Sequence, residues 1–92
     1  MYVILVYDIS LDDNGAKIWR KVYKLCKKYL VHVQNSVFEG EVTKSQLFEL
    51  KRKLKNILRE DLDSLIIFSS RHERWLEKEI IGNTIDSTDN FI

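Results

Sequence analysis

Apolar and polar residues alternate along the chain with two periods, which divide it into strands and helices. Residues 2–7 form an unbroken apolar run, which predicts a strand that is buried on both faces. Across residues 16–30, apolar side chains recur at spacings of three and four, the repeat of an amphipathic helix. A second such helix begins at Thr43, where Gln46 three residues later predicts a capping box. Residues 64–70 contain a further apolar strand.

The stretch between the two helices, residues 31–42, alternates with a period of two. It fits one long strand, or two short strands that reverse near Asn35 and Ser36, since both residues tolerate turns. We favour two strands, because a sheet built with only two helices needs that reversal. The order strand, helix, strand, strand, helix, strand predicts an α+β fold of the ferredoxin-like βαββαβ type.

The C-terminal part of the chain is less regular. Residues 75–81 fit either a short helix or an extended edge strand. Apolar residues are scattered through residues 80–92 although the compact domain already has its strands. We therefore expect residues from about 77 to 92 to form an extra strand that is exchanged with the partner subunit of a homodimer. Residues 1–92 then make up a single ferredoxin-like domain.

Cysteine content and hydropathy restrict the setting of the protein. The single cysteine, Cys26, excludes an internal disulfide and a cysteine-based zinc site, which fits a reducing, cytoplasmic location. Asp8 interrupts the apolar N-terminal run, and no basic segment precedes that run. The N-terminus is therefore predicted to be neither a signal peptide nor a membrane span, and we expect no membrane partner.

Charge is unevenly distributed, although the net charge is only +1. The first predicted helix carries a basic group with no acid among its members: Lys17, Arg20, Lys21, Lys24, Lys27 and Lys28. The second basic group is offset only by Glu49: Lys44, Lys51, Arg52, Lys53, Lys55 and Arg59. These groups predict a positive face that suits a phosphate backbone, or else two solvated helix faces.

Asp8 is the strongest candidate for chemistry, because a carboxylate at the end of an apolar strand is costly unless it is paired, hydrogen-bonded or bound to metal. It fits a ligand of a hard cation such as Mg²⁺, or a cap at the junction of strand and turn. Asp12, Asp13 and Asn14 follow as a predicted turn and helix N-cap cluster. One carboxylate per chain is too few for a complete ligand set, but a two-fold dimer would bring two copies together. A metal held there would polarise a phosphodiester and activate water.

Arg20 is the most specific of the basic candidates, since a guanidinium binds phosphate through two hydrogen bonds and a lysine does not. Lys17 and Lys21 accompany it as predicted nucleic-acid contacts. The alternative for Arg20 is a solvated side chain, or an ion pair with Asp12 or Asp13.

For several residues near the predicted reversal, the sequence allows either a structural or a chemical role. Phe38 fits base stacking, but we favour the core or a dimer interface, as we do for Trp19. We assign Gln34 and Ser36 to structure or to an interface as well. His32 is favoured as a structural histidine, with proton transfer as the alternative.

Four segments resemble one known family. They are Val-Tyr-Asp-Ile-Ser at residues 6–10, Trp-Arg-Lys-Val at 19–22, Val-Gln-Asn-Ser-Val-Phe-Glu-Gly at 33–40 and Ser-Leu-Ile-Ile-Phe at 64–68. Together they make nearly the whole chain similar to the CRISPR-associated Cas-two family. The chain departs from that pattern at Leu30, where a glycine is common, and at His32, where an arginine or lysine is common.

The resemblance implies a ferredoxin-like homodimer with crossing C-terminal strands, and a Cas-one integrase partner with which the dimer binds protospacer DNA. It also implies Mg²⁺-dependent or Mn²⁺-dependent cleavage of single-stranded RNA or double-stranded DNA. In the family pattern Asp8 corresponds to the metal ligand and catalytic residue, Arg20 to the arginine of the first helix, and Phe38 to the family phenylalanine. Three functions stay open at this point: a metal-dependent endonuclease, a non-catalytic DNA-binding scaffold and an mRNA-cleaving toxin.

Overall fold

A four-stranded antiparallel sheet carries two helices on one of its faces. The computed structural model describes residues 1–82. The strands are β1 (Tyr2–Asp8), β2 (Val31–Gln34), β3 (Val37–Glu41) and β4 (Ser64–Ser70), and the helices are α1 (Gly15–Tyr29), α2 (Lys44–Ile57) and a short 3₁₀ helix (Glu73–Trp75). The strands lie in the order β2-β3-β1-β4. With the βαββαβ connections, this order gives the predicted ferredoxin-like fold.

The reversal between β2 and β3 is confirmed at the predicted position. Asn35 has a φ of 40°, in the left-handed region that asparagine tolerates better than most residues. The ladder between the two strands shifts register between His32 and Gln34, as at a β-bulge. The two-strand interpretation of residues 31–42 is therefore correct.

The core lies between the sheet and the helices. Val3, Leu5 and Tyr7 point from β1 toward the helices and are buried together with Val22 of α1 and Leu50 of α2. The other side of β1 is less covered, since Ile4 and Val6 are only partly buried. The prediction that β1 is buried on both faces is thus not met within one chain, because both helices pack on the same face.

The two helices begin differently. At α2 the predicted capping box is confirmed: the Gln46 N–H donates to the Thr43 hydroxyl at 3.0 Å, and the Thr43 N–H donates to the Gln46 side chain at 2.9 Å. At α1 the predicted cluster does contain the N-cap residue, Asn14, but its side chain makes no capping hydrogen bond. Asp12 instead accepts the Asn14 N–H at 3.1 Å within the preceding turn.

The sheet face opposite the helices exposes apolar side chains, and we call it the open face. Val31, Ile66 and Phe68 lie on it and are 64%, 55% and 56% exposed. The chain after β4 reaches this face, where Lys78 forms an ion pair with Glu39. Within the single chain residues 76–82 form no regular element, so the predicted short helix is absent there. An edge strand that pairs with a partner subunit stays a prediction. The rest of the predicted exchanged strand, residues 83–92, lies outside the described residues.

Within residues 1–82, neither helix is long and apolar enough to cross a membrane.

Candidate active site and nucleic-acid interface

Asp8 is the last residue of β1 and is exposed. It pairs with Ser64 of β4 in the antiparallel ladder. Side chains alternate along a strand, so Asp8 lies on the open face with Val6, while Tyr7 between them points into the core. The Asp8 carboxylate is therefore accessible at the edge of an apolar surface, a position suited to meeting a cation or a second molecule.

The loop that follows Asp8 is fixed by an ion-pair network centred on Arg59. The Arg59 guanidinium donates to Asp12 Oδ1 at 2.6 Å and to the Ser10 carbonyl at 2.9 Å. It also donates through Nε and Nη2 to the two oxygens of Asp63, each at 3.0 Å. Asp63, whose side chain has no exposed surface, accepts the Ser10 N–H at 3.0 Å as well. The network joins the β1–α1 loop to the α2–β4 loop and so sets the path of the chain directly after Asp8.

In this network one guanidinium faces two carboxylates, and each group shifts the pKa of the others. Hydrogen bonding to Arg59 lowers the pKa of Asp63 to about 2, against the opposing effect of burial. The same guanidinium lowers the pKa of Asp12, and the two carboxylates raise the pKa of Arg59. The Arg59 side chain is therefore engaged in ion pairs within the fold. It does not contribute to the basic face to which the sequence assigned it. Asp12, one predicted alternative partner of Arg20, is occupied in the same way.

Arg20, Lys17 and Lys21 are exposed on α1. Arg20 lies on the side of the helix opposite the buried Val22 and Cys26, and thus away from the sheet. Asp8 lies on the far face of the same sheet. One chain alone therefore does not bring Arg20 and Asp8 together: the basic face and the carboxylate occupy separate surfaces.

The candidate aromatic residues pack on one another beside the core. Trp19 and Tyr23 stack with ring centroids 5.1 Å apart. Phe38 is fully buried and contacts Tyr23 at 5.5 Å and His32 at 4.9 Å between ring centroids. This arrangement places Trp19 and Phe38 in packing positions, where the Phe38 ring is not accessible to a nucleic-acid base.

The polar residues near the reversal shape the turn. His32 Nε2 lies 2.8 Å from the Asn35 carbonyl, which fits an N–H donated to that oxygen. The Ser36 carbonyl accepts the Tyr7 N–H at 3.1 Å. Gln34 is exposed at the end of β2 and lines a cavity of about 260 Å³ on the open face. These three residues lie near the β2 edge of the sheet.

The carboxylates of the described residues do not gather into a ready metal centre. No group of three acidic, histidine or cysteine side chains within residues 1–82 is placed to hold a metal ion. Within the described residues, Asp8 therefore belongs to no such group and supplies one hard oxygen ligand.

Comparison with known proteins extends what the geometry shows. The profile of the family described as CRISPR associated protein Cas2 matches residues 1–78. The chain belongs to the Cas2 family. The chain thus carries an accessible Asp8 at the end of β1 and, on a separate surface, a basic α1, within a fold shared with other Cas2 proteins.

Several Cas2 relatives match most or all of this chain. A CRISPR-associated endoribonuclease Cas2 of Fusobacterium nucleatum is 55% identical, with 100% of this chain and 87% of that protein covered. One from Moorella thermoacetica is 44% identical, with 98% of this chain and all of that protein covered. The crystal structure of Cas2 from Streptococcus pyogenes aligns with a TM-score of 0.73 at 35% identity, covering 86% of this chain and 99% of that one.

Arg59 and Asp63 are the site residues that sequence reasoning missed. Their spacing of four residues was a usable signal, because an arginine and an aspartate at that distance face each other in a helical turn. Their contacts with Ser10 and Asp12, more than forty residues away, left no sequence signal.

Proposed function

We propose that this chain is a homodimeric, metal-dependent endonuclease that hydrolyses phosphodiester bonds of single-stranded RNA or double-stranded DNA in CRISPR adaptation. The observation that carries the proposal is the accessible Asp8 carboxylate on the open face of a Cas2 fold. The Fusobacterium and Moorella relatives are both named endoribonucleases, which favours hydrolysis over binding alone.

The open face is the surface that we propose for dimerisation. Ile66 and Phe68 are each more than half exposed there, and a second copy of the same face would remove both from water. A two-fold interface uses the same patch of both subunits, and only residues beside the axis approach their own mates. The proposal therefore places the two-fold axis next to Asp8. Asp8 lies at the end of this face, which places two carboxylates on one shared surface.

Two Asp8 carboxylates fit Mg²⁺ or Mn²⁺, because a hard cation takes one or two carboxylates and keeps several waters. When bound, the metal would polarise the phosphate and activate a water. Asp8 from each subunit would hold it, and without a cation the two carboxylates would repel each other. The chemistry of the donor set is thus consistent with a shared divalent ion.

The basic residues of α1 would act on the nucleic acid at a distance from Asp8. Arg20, Lys17 and Lys21 are exposed on the opposite side of the protein layer, so they bind flanking phosphates rather than the scissile one. Binding through them is independent of sequence and weakens with salt.

This separation supports a second candidate function. A DNA-binding scaffold that presents protospacer DNA to the Cas-one integrase requires the basic face of α1 and does not require Asp8. The match to the Cas2 family favours either CRISPR role over an mRNA-cleaving toxin.

Asp8→Asn tests the endonuclease, with Asp13→Asn as the matched control, because both carboxylates are exposed and only Asp8 lies on the open face. We expect Asp8→Asn to reduce Mg²⁺-stimulated cleavage by more than the roughly 10–100-fold that loss of an outer-shell group causes. Binding of duplex DNA, measured without divalent cation, should be unchanged in both variants.

Cleavage that survives Asp8→Asn would remove Asp8 from catalysis. If spacer acquisition by the complete system also survives that substitution, the scaffold function is the correct one.

A further inference from the structure

One side of α2 carries basic side chains around an exposed aromatic ring. Lys44, Phe48, Lys51 and Lys55 follow one another at spacings of four, three and four, so they form a row along the helix, with Arg52 beside it. All five residues are exposed, and Phe48 is 70% exposed. We call these five residues the α2 row, which extends for about 16 Å along the helix axis.

The α2 row lies on the side of α2 away from α1 and next to β4, where Lys51 and Lys55 line a pocket with Leu65 and Ile67. The buried leucines of α2 point to the sheet. Glu49, the one acid of the helix, accepts a hydrogen bond from the Tyr29 hydroxyl of α1 at 2.9 Å and lies 3.9 Å from Lys53. Within residues 1–82, the ion pairs of α2 therefore involve Lys53, and the four charges of the row remain free for a ligand.

The basic side of α1 differs in one respect. Its Trp19 and Tyr23 rings stack on each other and are partly buried beside the core. The exposed side of α1 thus offers charge alone, whereas the α2 row offers charge together with an accessible ring.

The combination of basic side chains and an accessible aromatic ring indicates the chemical class of the partner. Lysine and arginine side chains spaced along a helix bind successive phosphates, and a ring between them provides a surface on which a base can stack. In a duplex the bases are already stacked and their faces are hidden, so a side chain on a protein surface reaches only an unpaired base. A lipid surface needs a broad apolar face, and the row has a single ring.

We propose that the α2 row is a binding surface for single-stranded nucleic acid, in which the basic side chains bind phosphates and Phe48 stacks on an unpaired base. The proposal adds to the proposed function a binding surface for one class of nucleic acid. It does not depend on Asp8, on a metal or on hydrolysis. Single strands and duplexes would then be held by different helices of the protein.

The test is a binding measurement in the Asp8→Asn background without divalent cation, so that cleavage does not enter. The probes are a short unstructured oligonucleotide containing 2-aminopurine and the duplex formed with its complement. Phe48→Ser should weaken binding of the single strand by about 5- to 150-fold, the range produced by losing one stacked base, with less than about twofold effect on the duplex. Phe48→Trp should retain binding of the single strand.

Leu62→Ser is the matched control, because Leu62 is 46% exposed but lies in an acidic turn. It should leave both affinities unchanged. Lys51→Ala should reduce the salt slope of single-strand binding by about 0.7.

Equal weakening of both probes by Phe48→Ser, no weakening of either, or the same loss in Leu62→Ser would overturn the proposal. A change in the sedimentation of the free protein on Phe48→Ser would also overturn it and assign the ring to a contact between protein copies. None of these results bears on Asp8-dependent cleavage, which has its own test.

Discussion

At the scale of single residues, Arg59 and Asp63 determine how the chain continues after Asp8. Asp63 has no exposed side-chain surface, yet both of its oxygens accept hydrogen bonds from Arg59 and one also accepts the Ser10 N–H. A buried carboxylate with this many donors is stable only in its charged form. The geometry behind Asp8 therefore depends on one ionised side chain.

Replacing Asp63 with asparagine should destabilise the fold by about 1.5–3 kcal/mol, the usual contribution of a hydrogen bond to a charged group. The amide places an N–H donor against the Arg59 donors, so at least one of these hydrogen bonds is lost. The measurement is chemical denaturation at neutral pH, with Asp61→Asn in the neighbouring exposed turn as the control.

The lowered pKa of Asp63 also predicts how the stability difference between wild type and Asp63→Asn depends on pH. Because the pKa of Asp63 is lowered to about 2, its contribution to stability is complete above its unfolded value near 4 and is lost as the pH falls toward 2. The gap in stability between wild type and Asp63→Asn should therefore close over this range. A gap that stays constant from pH 5 to about pH 2 would contradict the ionised network.

Sequence reasoning could find residues whose role follows from their immediate neighbours. Asp8 stands out because it ends an apolar run, and the structure does place it at the end of β1. The sequence places Arg59 in the second basic group, on a predicted positive or solvated face, because its partners Ser10 and Asp12 are distant in sequence. The sequence also could not show that the sheet separates Arg20 from Asp8, because this separation depends on which face of the sheet the two helices cover.

At the scale of elements, the two helices show how far local signals extend. The Thr43–Gln46 box could be predicted because both hydrogen bonds join residues three apart. The turn before α1 also contains residues that favour a helix N-cap. There, however, Asp12 forms an ion pair with Arg59, and the Asn14 side chain makes no capping hydrogen bond. Asp12 Oδ1 thus keeps its local contact with the Asn14 N–H and adds a tertiary contact with Arg59.

Thr43→Ala should lower the free energy of unfolding by about 1 kcal/mol, because it leaves the Gln46 N–H without its acceptor. This corresponds to about 4–8 °C in the melting temperature of a domain of this size. Ser45→Ala, at an exposed position of the same helical turn, is the control. An equal shift in the two variants would mean that the change reflects general helix propensity rather than the cap.

At the scale of the whole molecule, one chain has two contrasting sides. The helical side carries the basic residues of α1 and the α2 row, and the sheet side carries Asp8 and the apolar open face. A dimer formed through the open face would bury the apolar patch, gather the two Asp8 carboxylates and leave all four basic helices exposed. The proposed division between nucleic-acid binding and metal chemistry follows from this arrangement.

The most direct test of this account is the stoichiometry of metal binding, measured by titrating the protein with Mn²⁺ and following free ion by electron paramagnetic resonance. We expect one tightly bound Mn²⁺ for every two chains, with the ion lost in Asp8→Asn and in Phe68→Asp, a substitution that places charge in the middle of the open face. One ion per chain, or binding that persists in both variants, would contradict a metal shared between two Asp8 carboxylates.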